Sequence, residues 1–524
     1  IIDQLQGGRS VAESFSEALG IGFGETTDDG LITLEYAPCI GMCDQAPAAL
    51  VNDVVVTRLN AEKARALVYS LASHGDPQRL VAEFGDRNNA HDLVQSMVQN
   101  NLRQKGEVIF SRLEPGSAIE RAIAMSPQEV IRDVKTARLR GRGGAGFPTG
   151  MKWEFTRASD SSERVIICNA DEGEPGTFKD RVILTEVPDL LFEGMTIGGY
   201  AIGATTGIVY LRAEYAYLRA FLEDVLRRRR DQGLLGRNIQ GRAGFDFDIR
   251  IQMGAGAYIC GEETALISSC EGLRGDPKNR PPFPAQKGYL GRPTSVNNVE
   301  TLCCVARILA KGPGWFAKFG SRGSSGTKLL SVSGDCKRPG VYELEFGISV
   351  ADLLNKVGAE DAQAVQIGGP SGQMIGPSDY ERTICYDDLS TGGAIMVFGP
   401  ERDLLEIVEQ FLDFFVDESC GYCTPCRAGN LLLKQRMVDI IAGRGVPEDI
   451  DYLRSLGESV KTMSRCGLGQ TSANPILSTL KNFPELYEAR LKERPAQAQP
   501  SFDIRAALAQ SEDLTGRRSV HFSK

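Results

Sequence analysis

The chain has 524 residues, 42% of them hydrophobic and 24% charged, with a net charge of −9. That length suits three or four domains of roughly 150 residues each, and an acidic balance without a long basic run argues against broad nucleic-acid affinity. Thirteen cysteines outside any short secreted framework, and no charged-then-apolar opening segment, describe a reducing, cytosolic chain. His74, His91 and His521 stand apart from every motif below. Chemistry built on a histidine base is therefore disfavoured, whereas hydride or electron transfer needs none.

The chain opens on Ile1, and we expect it to begin inside a longer one. Residues 9–19 have the apolar spacing of an amphipathic helix, Leu31–Glu35 and Val54–Thr57 read as strands, and a helix follows from Ala61 to Leu71. Between the strands stands Pro38-Cys39-Ile-Gly-Met-Cys43-Asp-Gln-Ala-Pro47. This Cys-x3-Cys loop resembles the second half of the thioredoxin-like [2Fe-2S] subunit of complex I. The resemblance implies a partial thioredoxin-like domain over 1–75, with Cys39 and Cys43 as two cluster ligands. The two cysteines that the family has upstream have no counterpart among the 38 residues before Cys39, so two reduced cysteines in a structural loop remain the other reading. Residues 76–105, with Asp86-Arg-Asn-Asn89, are polar and predict a helical connector.

A helix from Pro127 leads into Leu139-Arg-Gly-Arg-Gly-Gly-Ala-Gly-Phe-Pro-Thr-Gly150, which places Gly-x-Gly-x-x-Gly at Gly141, Gly143 and Gly146. A dinucleotide turn needs a strand before its glycines, and here a helix precedes them. Glycines still let backbone N–H groups approach an anion, with Arg140, Arg142 and Lys152 adding positive charge. A phosphate cradle and a plain glycine loop are the two readings. Phe147, Trp153 and Phe155 are able to stack on a flat ring or to fill a core. The strand Arg164–Cys168 ends in Asn169-Ala-Asp-Glu-Gly-Glu-Pro-Gly-Thr-Phe-Lys-Asp-Arg181, and such polar groups at a strand's carboxyl end mark a ligand site in an open α/β sheet.

The uncharged stretch from Gly194 to Leu211 is interrupted by glycine and threonine, which predicts a buried helix and then a strand; no membrane segment is expected. Strands follow at Ile208–Arg212 and Phe247–Ile251. Gly254-Ala-Gly-Ala-Tyr-Ile-Cys-Gly-Glu262-Glu263-Thr then opens a helix, whose dipole the two carboxylates complement unless they serve a site. Asn297 and Asn298, in Thr294-Ser-Val-Asn-Asn-Val-Glu-Thr301, are amides able to donate and accept.

Residues 327–400 run strand, strand, helix, strand, the order of a ubiquitin-like β-grasp module. Residues 401–416 form an apolar-faced helix leading to Glu418-Ser-Cys-Gly-Tyr-Cys-Thr-Pro-Cys-Arg427. Cys420, Cys423 and Cys426 at three-residue intervals, with Cys466 as the distant fourth, are the pattern of a [4Fe-4S] cluster. A zinc site, which prefers two separated pairs, is the alternative. Arg427 and Arg465 flank two of these ligands, where a cation would offset cluster charge; two solvated arginines are the other reading. Asn474-Pro475 reads as a helix cap with proline in the first turn. The tail 491–524, with Phe502 and Phe522, is expected to drape over a partner or stay disordered.

Five motifs in one order, the glycine loop, Asn169–Thr177, Gly254–Thr264, Val296–Thr301 and Glu418–Arg427, resemble the NADH-oxidising flavoprotein of complex I and its relatives in formate dehydrogenases and soluble NAD-reducing hydrogenases, over about residues 106–490. The resemblance implies a Rossmann-like α/β FMN/NAD domain at 106–326, the β-grasp at 327–400 and a helical [4Fe-4S] bundle at 401–490. It implies FMN held by Gly141, Arg142, Gly143, Lys152, Asn169, Asp171, Glu172, Asn297, Asn298 and Thr301. NAD(H) would lie near Glu174, Tyr258, Glu262 and Glu263, its adenine among Phe147, Phe155 and Phe283, with Glu263 favouring NADH over NADPH by repelling a 2′-phosphate. Fusion of the thioredoxin-like piece to the flavoprotein most resembles the diaphorase large subunit of a nickel–iron hydrogenase. Its implied partners are a small iron–sulfur diaphorase subunit and hydrogenase subunits. A formate dehydrogenase or complex I subunit, and a non-catalytic electron-relay scaffold, are the rival readings.

Overall fold

The structure is a computed structural model that describes residues 1–84, 91–492, 504–518 and 520. The Asp86–Asn89 run, Pro495, Phe502, His521 and Phe522 lie outside the described residues. In the amino-terminal module, helices Gly8–Leu19 and Ala61–His74 pack together beside a hairpin of β3 (Ala49–Val51) and β4 (Val54–Val56). Val54 and Val56 bury against Val11, Leu67 and Leu80. The strand expected over 31–35 shrinks to β2 (Thr33–Leu34), paired only with β1 (Glu25–Thr26), because Leu31 and Tyr36 on either side are exposed.

Among its described residues the connector is less helical than its polarity suggested. It holds the helix Arg79–Phe84 and then a short strand, β5 (Leu102–Gln104), which joins the β-grasp sheet.

Four parallel strands form the central sheet: β6 (Val165–Ala170), β7 (Thr206–Leu211), β8 (Asp248–Met253) and β9 (Thr294–Asn298), in the order β8-β7-β6-β9. The apolar runs of β6 and β7 suit strands covered on both faces. Alternate residues of β6 point into different cores. Ile166 and Cys168 meet the helices Pro188–Ile202 and Val299–Lys311, whereas Val165 and Ile167 meet the helix Glu263–Cys270 and the cysteine-bearing module. The two long helices approach so closely that a Cβ on Gly194 would stand 1.9 Å from the Leu302 carbonyl oxygen. Any larger residue there would force them apart.

The second sheet has the order β13-β12-β14-β10-β11-β5, built from β10 (Thr327–Gly334), β11 (Gly340–Glu345), β12 (Ala364–Ile367), β13 (Gln373–Ile375) and β14 (Ala394–Phe398). β10 and β14 are parallel, and the pairs β10–β11, β12–β13 and β12–β14 antiparallel, which with the helix Val350–Val357 is the β-grasp arrangement.

Helices Leu404–Glu418, Thr424–Ile441, Glu448–Met463 and Asn474–Asn482 make the carboxy-terminal bundle. Asn474 does not cap the last of them: Ala473 occupies the cap position, and Asn474 Nδ2 donates to the Ser371 carbonyl at 2.8 Å, tying bundle to β-grasp. Part of the tail, Ile504–Thr515, forms a helix. Among the described residues no helix is long and apolar enough to cross a membrane.

Candidate functional site

From β6 the chain steps outward to β7 and β8, then returns to the other side of β6 as β9. The chain leaves β6 as a loop but β9 directly as the helix Val299–Lys311, and in an open α/β sheet the ligand crevice is expected at this reversal of strand order. Asn169 and Asn298 face each other in register at this point.

The glycine loop lies against the same end. Gly141 N donates to the Phe147 carbonyl and Thr149 N to the Leu139 carbonyl, both at 2.9 Å, closing a narrow turn. Arg142 N donates to Thr301 Oγ1 at 2.8 Å, and a Cβ on Gly143 would stand 3.3 Å from Asn298 Cβ. Gly144, at φ +133°, has nothing within 4 Å of where a Cβ would stand. Asn298 caps the helix Val299–Lys311, its Oδ1 accepting from Glu300 N at 3.0 Å. Open backbone beside a helix N-terminus is the arrangement that takes a phosphate.

The side chains divide between ligand-facing and structural roles. Arg142 lays its guanidinium over the Phe346 ring, where it donates to the Ser325 carbonyl at 2.6 Å and the Arg140 carbonyl at 2.9 Å. With its backbone N–H taken by Thr301 Oγ1 and its guanidinium by carbonyls, Arg142 braces the loop. Asn169 Nδ2 donates to the Gly261 carbonyl (2.8 Å), and Trp153 Nε1 to Asn297 Oδ1 (3.0 Å). Glu172 receives Asp180 N at 2.7 Å, Arg181 N at 3.1 Å and Tyr215 Oη at 2.8 Å, so it anchors the start of the helix Lys179–Glu186. Asp171 differs: its Oδ2 is buried without a hydrogen-bond partner, and burial pushes its carboxyl up to about 7. A buried acceptor left open in the crevice is a place for a donor on a bound ring.

Lys152 Nζ reaches Glu263 Oε2 (3.0 Å) and the Val296 carbonyl (3.1 Å). Glu263 also lies 3.4 Å from Arg280, so its charge is already met by two cations, which weakens the repulsion expected of it toward a 2′-phosphate. Glu262 caps the helix Glu263–Cys270 and pairs with Arg280, the dipole role that the sequence left open. Phe147, Phe155 and Phe283 are 45%, 49% and 51% exposed, unusual for phenylalanine in a covered core and suited to a stacking platform. Tyr258 Oη donates to Glu174 Oε2 at 2.6 Å, and Ser371 N donates to Glu174 Oε1 at 2.9 Å.

Burial outweighs those two hydrogen bonds and raises Glu174 to about 7. The folded chain therefore holds a proton that the unfolded chain has released above the ordinary carboxylate range. The stability this contributes is complete below about pH 4.3 and lost as pH rises through about 7. In melting curves between pH 5 and 8, Glu174→Gln is expected to flatten the decline of Tm relative to the parent. An unchanged slope would assign the decline to other groups.

Residues that sequence reasoning passed over lie just behind the crevice. Lys179 bonds Asp180 (2.7 Å), Asn298 Oδ1 (3.3 Å) and Glu300 (3.0 Å), and Lys328 reaches the same Glu300 at 2.5 Å, with both lysines, Asp180 and Glu300 buried. The surrounding carboxylates hold Lys179 above the ordinary lysine range despite burial, whereas burial lowers Lys328 to about 7. One glutamate shared by two lysines underpins Asn298. Lys179 lies within the Asn169–Arg181 stretch, but one buried lysine in a polar run gives no sequence signal.

On the other face of the sheet, Cys420, Cys423, Cys426 and Cys466 line one small cavity with Ile259, Ser419, Tyr422 and Leu468. Cys423 precedes the helix Thr424–Ile441 and Cys426 sits in its first turn, so the ligand run ends inside the helix rather than before it. Cys466 enters at the start of the helix Gly467–Thr471. Four thiols around one cavity match the donor set of a [4Fe-4S] cubane, in which each binds a different iron. Asn430 Nδ2 donates to Cys426 Sγ at 3.5 Å, and burial raises that thiol to about 11, so iron must displace its proton. Arg427 bonds the Gly421 carbonyl and Arg465 stacks on Tyr422 at 4.1 Å, both committed within the loop.

The turn Tyr258–Gly261 joins the two sites: Tyr258 touches Glu174, Ile259 lines the cysteine cavity, and Tyr258 N donates to Glu418 Oε2 at 2.9 Å. In the amino-terminal module Cys39 and Cys43 lie with sulfurs 3.9 Å apart, and Gly176 N donates to Cys43 Sγ at 3.3 Å. Two thiols are half of a [2Fe-2S] ligand set, and residues 1–75 contain no other.

Three family models match the chain: the Nuo51 FMN-binding domain over 134–307, the NADH-ubiquinone oxidoreductase-F iron-sulfur binding region over 406–490, and the thioredoxin-like [2Fe-2S] ferredoxin over 1–72. The alpha subunit of the NAD-reducing hydrogenase HoxS of Cupriavidus necator is 51% identical over 510 residues, 97% of this chain and 85% of that one. An NADH-quinone oxidoreductase subunit of Escherichia coli is 40% identical over 384 residues, 70% of this chain and 86% of that one. A crystal structure of NAD+-reducing [NiFe]-hydrogenase in the H2-reduced state superposes with a TM-score of 0.87 at 38% identity, covering 99% of this chain and 87% of that one.

Proposed function

The chain belongs to the family of flavin- and iron–sulfur-containing NADH oxidoreductase subunits shared by NAD-reducing hydrogenases and NADH-quinone oxidoreductases, and on that premise we propose that it is a diaphorase subunit working within a hydrogenase that reduces NAD+ with H2. The observation that carries the diaphorase reading is the turn Tyr258–Gly261, which has one residue at the Glu174 pocket and the next in the wall of the four-cysteine cavity. FMN, when bound, would take up a hydride's electron pair and part with it singly to a [4Fe-4S] cluster.

Everything else falls to this chain's residues. The glycine loop and the capped helix at Asn298 hold a phosphate, while Asn169, Asp171 and Asn297 line the ring's side of the crevice. Glu174 and Tyr258, hydrogen-bonded to each other, close the wall where a nicotinamide would stack, and Phe147, Phe155 and Phe283 offer faces to an adenine. Cys420, Cys423, Cys426 and Cys466 carry the iron. No side chain is asked to be a nucleophile.

Hydrogenase membership rests on coverage. The match to the Cupriavidus necator hydrogenase runs through 97% of the chain, whereas the match to the Escherichia coli quinone oxidoreductase takes in 70%. We assign a cytoplasmic site and a hetero-oligomer with a small iron–sulfur subunit and hydrogenase subunits. In the purified native assembly, H2 is expected to drive NAD+ reduction where formate does not, and NADH to reduce an artificial dye. Formate-driven reduction would transfer the chain to the formate dehydrogenases, and absence of dye reduction by an FMN-loaded chain would leave only a scaffold.

A further inference from the structure

We propose that Tyr386, in the β-grasp module, is a positioning residue for the flavin loop, so that retention of FMN depends on a domain outside the α/β sheet. The inference rests on reading residues 141–146 as the FMN phosphate loop. Tyr386 Oη donates to the Gly141 carbonyl at 2.6 Å. The Arg140 guanidinium lies 4.2 Å above its ring, and Arg140 Nε donates to the Gly146 carbonyl at 2.8 Å. Both ends of the loop are thereby tied to one aromatic side chain. Gly146 sits at φ +64°, where a Cβ would stand 2.6 Å from the ring, so the ring packs directly on backbone.

Tyr386 is itself fixed. Its N donates to Ser324 Oγ at 2.9 Å, and its ring leans on Phe346 at 5.0 Å between centroids. Phe346 in turn carries the Arg142 guanidinium at 4.7 Å. Neither aromatic belongs to the β-grasp module's own apolar core. A second segment of the module presses on the loop too, since a Cβ on Gly392 would stand 3.3 Å from the Gly143 carbonyl oxygen.

A glycine-rich loop is costly to order, and a loop already held in its binding shape binds more tightly by the ordering it no longer requires. Tyr386→Phe keeps the ring and its contact with Arg140 while removing one hydrogen bond, which corresponds to roughly three- to tenfold faster FMN release.

The test dilutes the FMN-loaded holoenzyme and follows the return of free-flavin fluorescence for the parent, Tyr386→Phe, Tyr386→Ala and Tyr380→Phe. Tyr380 hydrogen-bonds within the same module, to the Ala362 carbonyl at 3.0 Å, and serves as the control. The expected order of release is Tyr386→Ala fastest, then Tyr386→Phe, with Tyr380→Phe like the parent and with activity lost on dilution restored by added FMN. Equal release from all four overturns the inference while leaving the loop's assignment standing. Faster release accompanied by loss of iron or a lowered Tm overturns it in favour of a general structural role. A parent that never binds FMN removes the underlying reading instead.

Discussion

Cys466→Ala is expected to abolish the EPR signal of the reduced [4Fe-4S] cluster while NADH still reduces FMN. The four thiols share one cavity, and three of them come from a seven-residue run that is anchored locally, Arg427 holding the Gly421 carbonyl and Arg274 the Cys420 carbonyl. Cys466 arrives from a separate segment, so its loss opens one corner of the cluster without disturbing the other three ligands. The crevice lies across the sheet from that corner. Iron content is expected to fall from about four per chain toward zero, with flavin bleaching by NADH retained. An undiminished EPR signal would mean that a different residue completes the set.

Arg181→Met is expected to destabilise the chain by about 3–5 kcal/mol, the cost of leaving one member of a buried ion pair alone. Arg181 and Asp44 pair at 3.1 Å with both side chains 0% exposed. Arg181 further donates to the Gly41 carbonyl at 2.6 Å, and Asn101 Nδ2 donates to Asp44 Oδ2 at 2.7 Å. These contacts join the Cys39–Cys43 loop to the helix behind the crevice. Calorimetry should show the lowest-temperature transition moving down, and limited proteolysis should cut near the connector sooner. Asp44→Asn in the Arg181→Met background should recover part of the loss, because no buried charge is then unpaired. A double variant no better than the single would trace the loss to packing instead.

Much of the architecture could be read because its causes are local. The apolar runs of β6 and β7 announce strands buried on both faces, and Cys420, Cys423 and Cys426 declare their chemistry by spacing alone. The helix-then-strand reading of 194–211 is realised in Pro188–Ile202 and Thr206–Leu211. What stayed hidden depends on partners far along the chain. Leu102–Gln104 has no strand pattern of its own and becomes one only because β11 offers an edge. Arg142 looks like a phosphate ligand from its place among glycines, yet Phe346 and Ser325 decide where its guanidinium points. Glu172 sits in the motif that lines the crevice but is spent on a helix start. Cys39 and Cys43 resemble cluster ligands, and the structure brings their sulfurs together without supplying the rest of the set.

The Tyr258–Gly261 turn has a final implication for how fast current leaves the chain. Adjacent peptide units separate the proposed nicotinamide wall from the iron cavity, so on that reading the spacing between them is set when the chain folds. On the same reading, control of throughput would fall to entry of substrate or to the next carrier downstream.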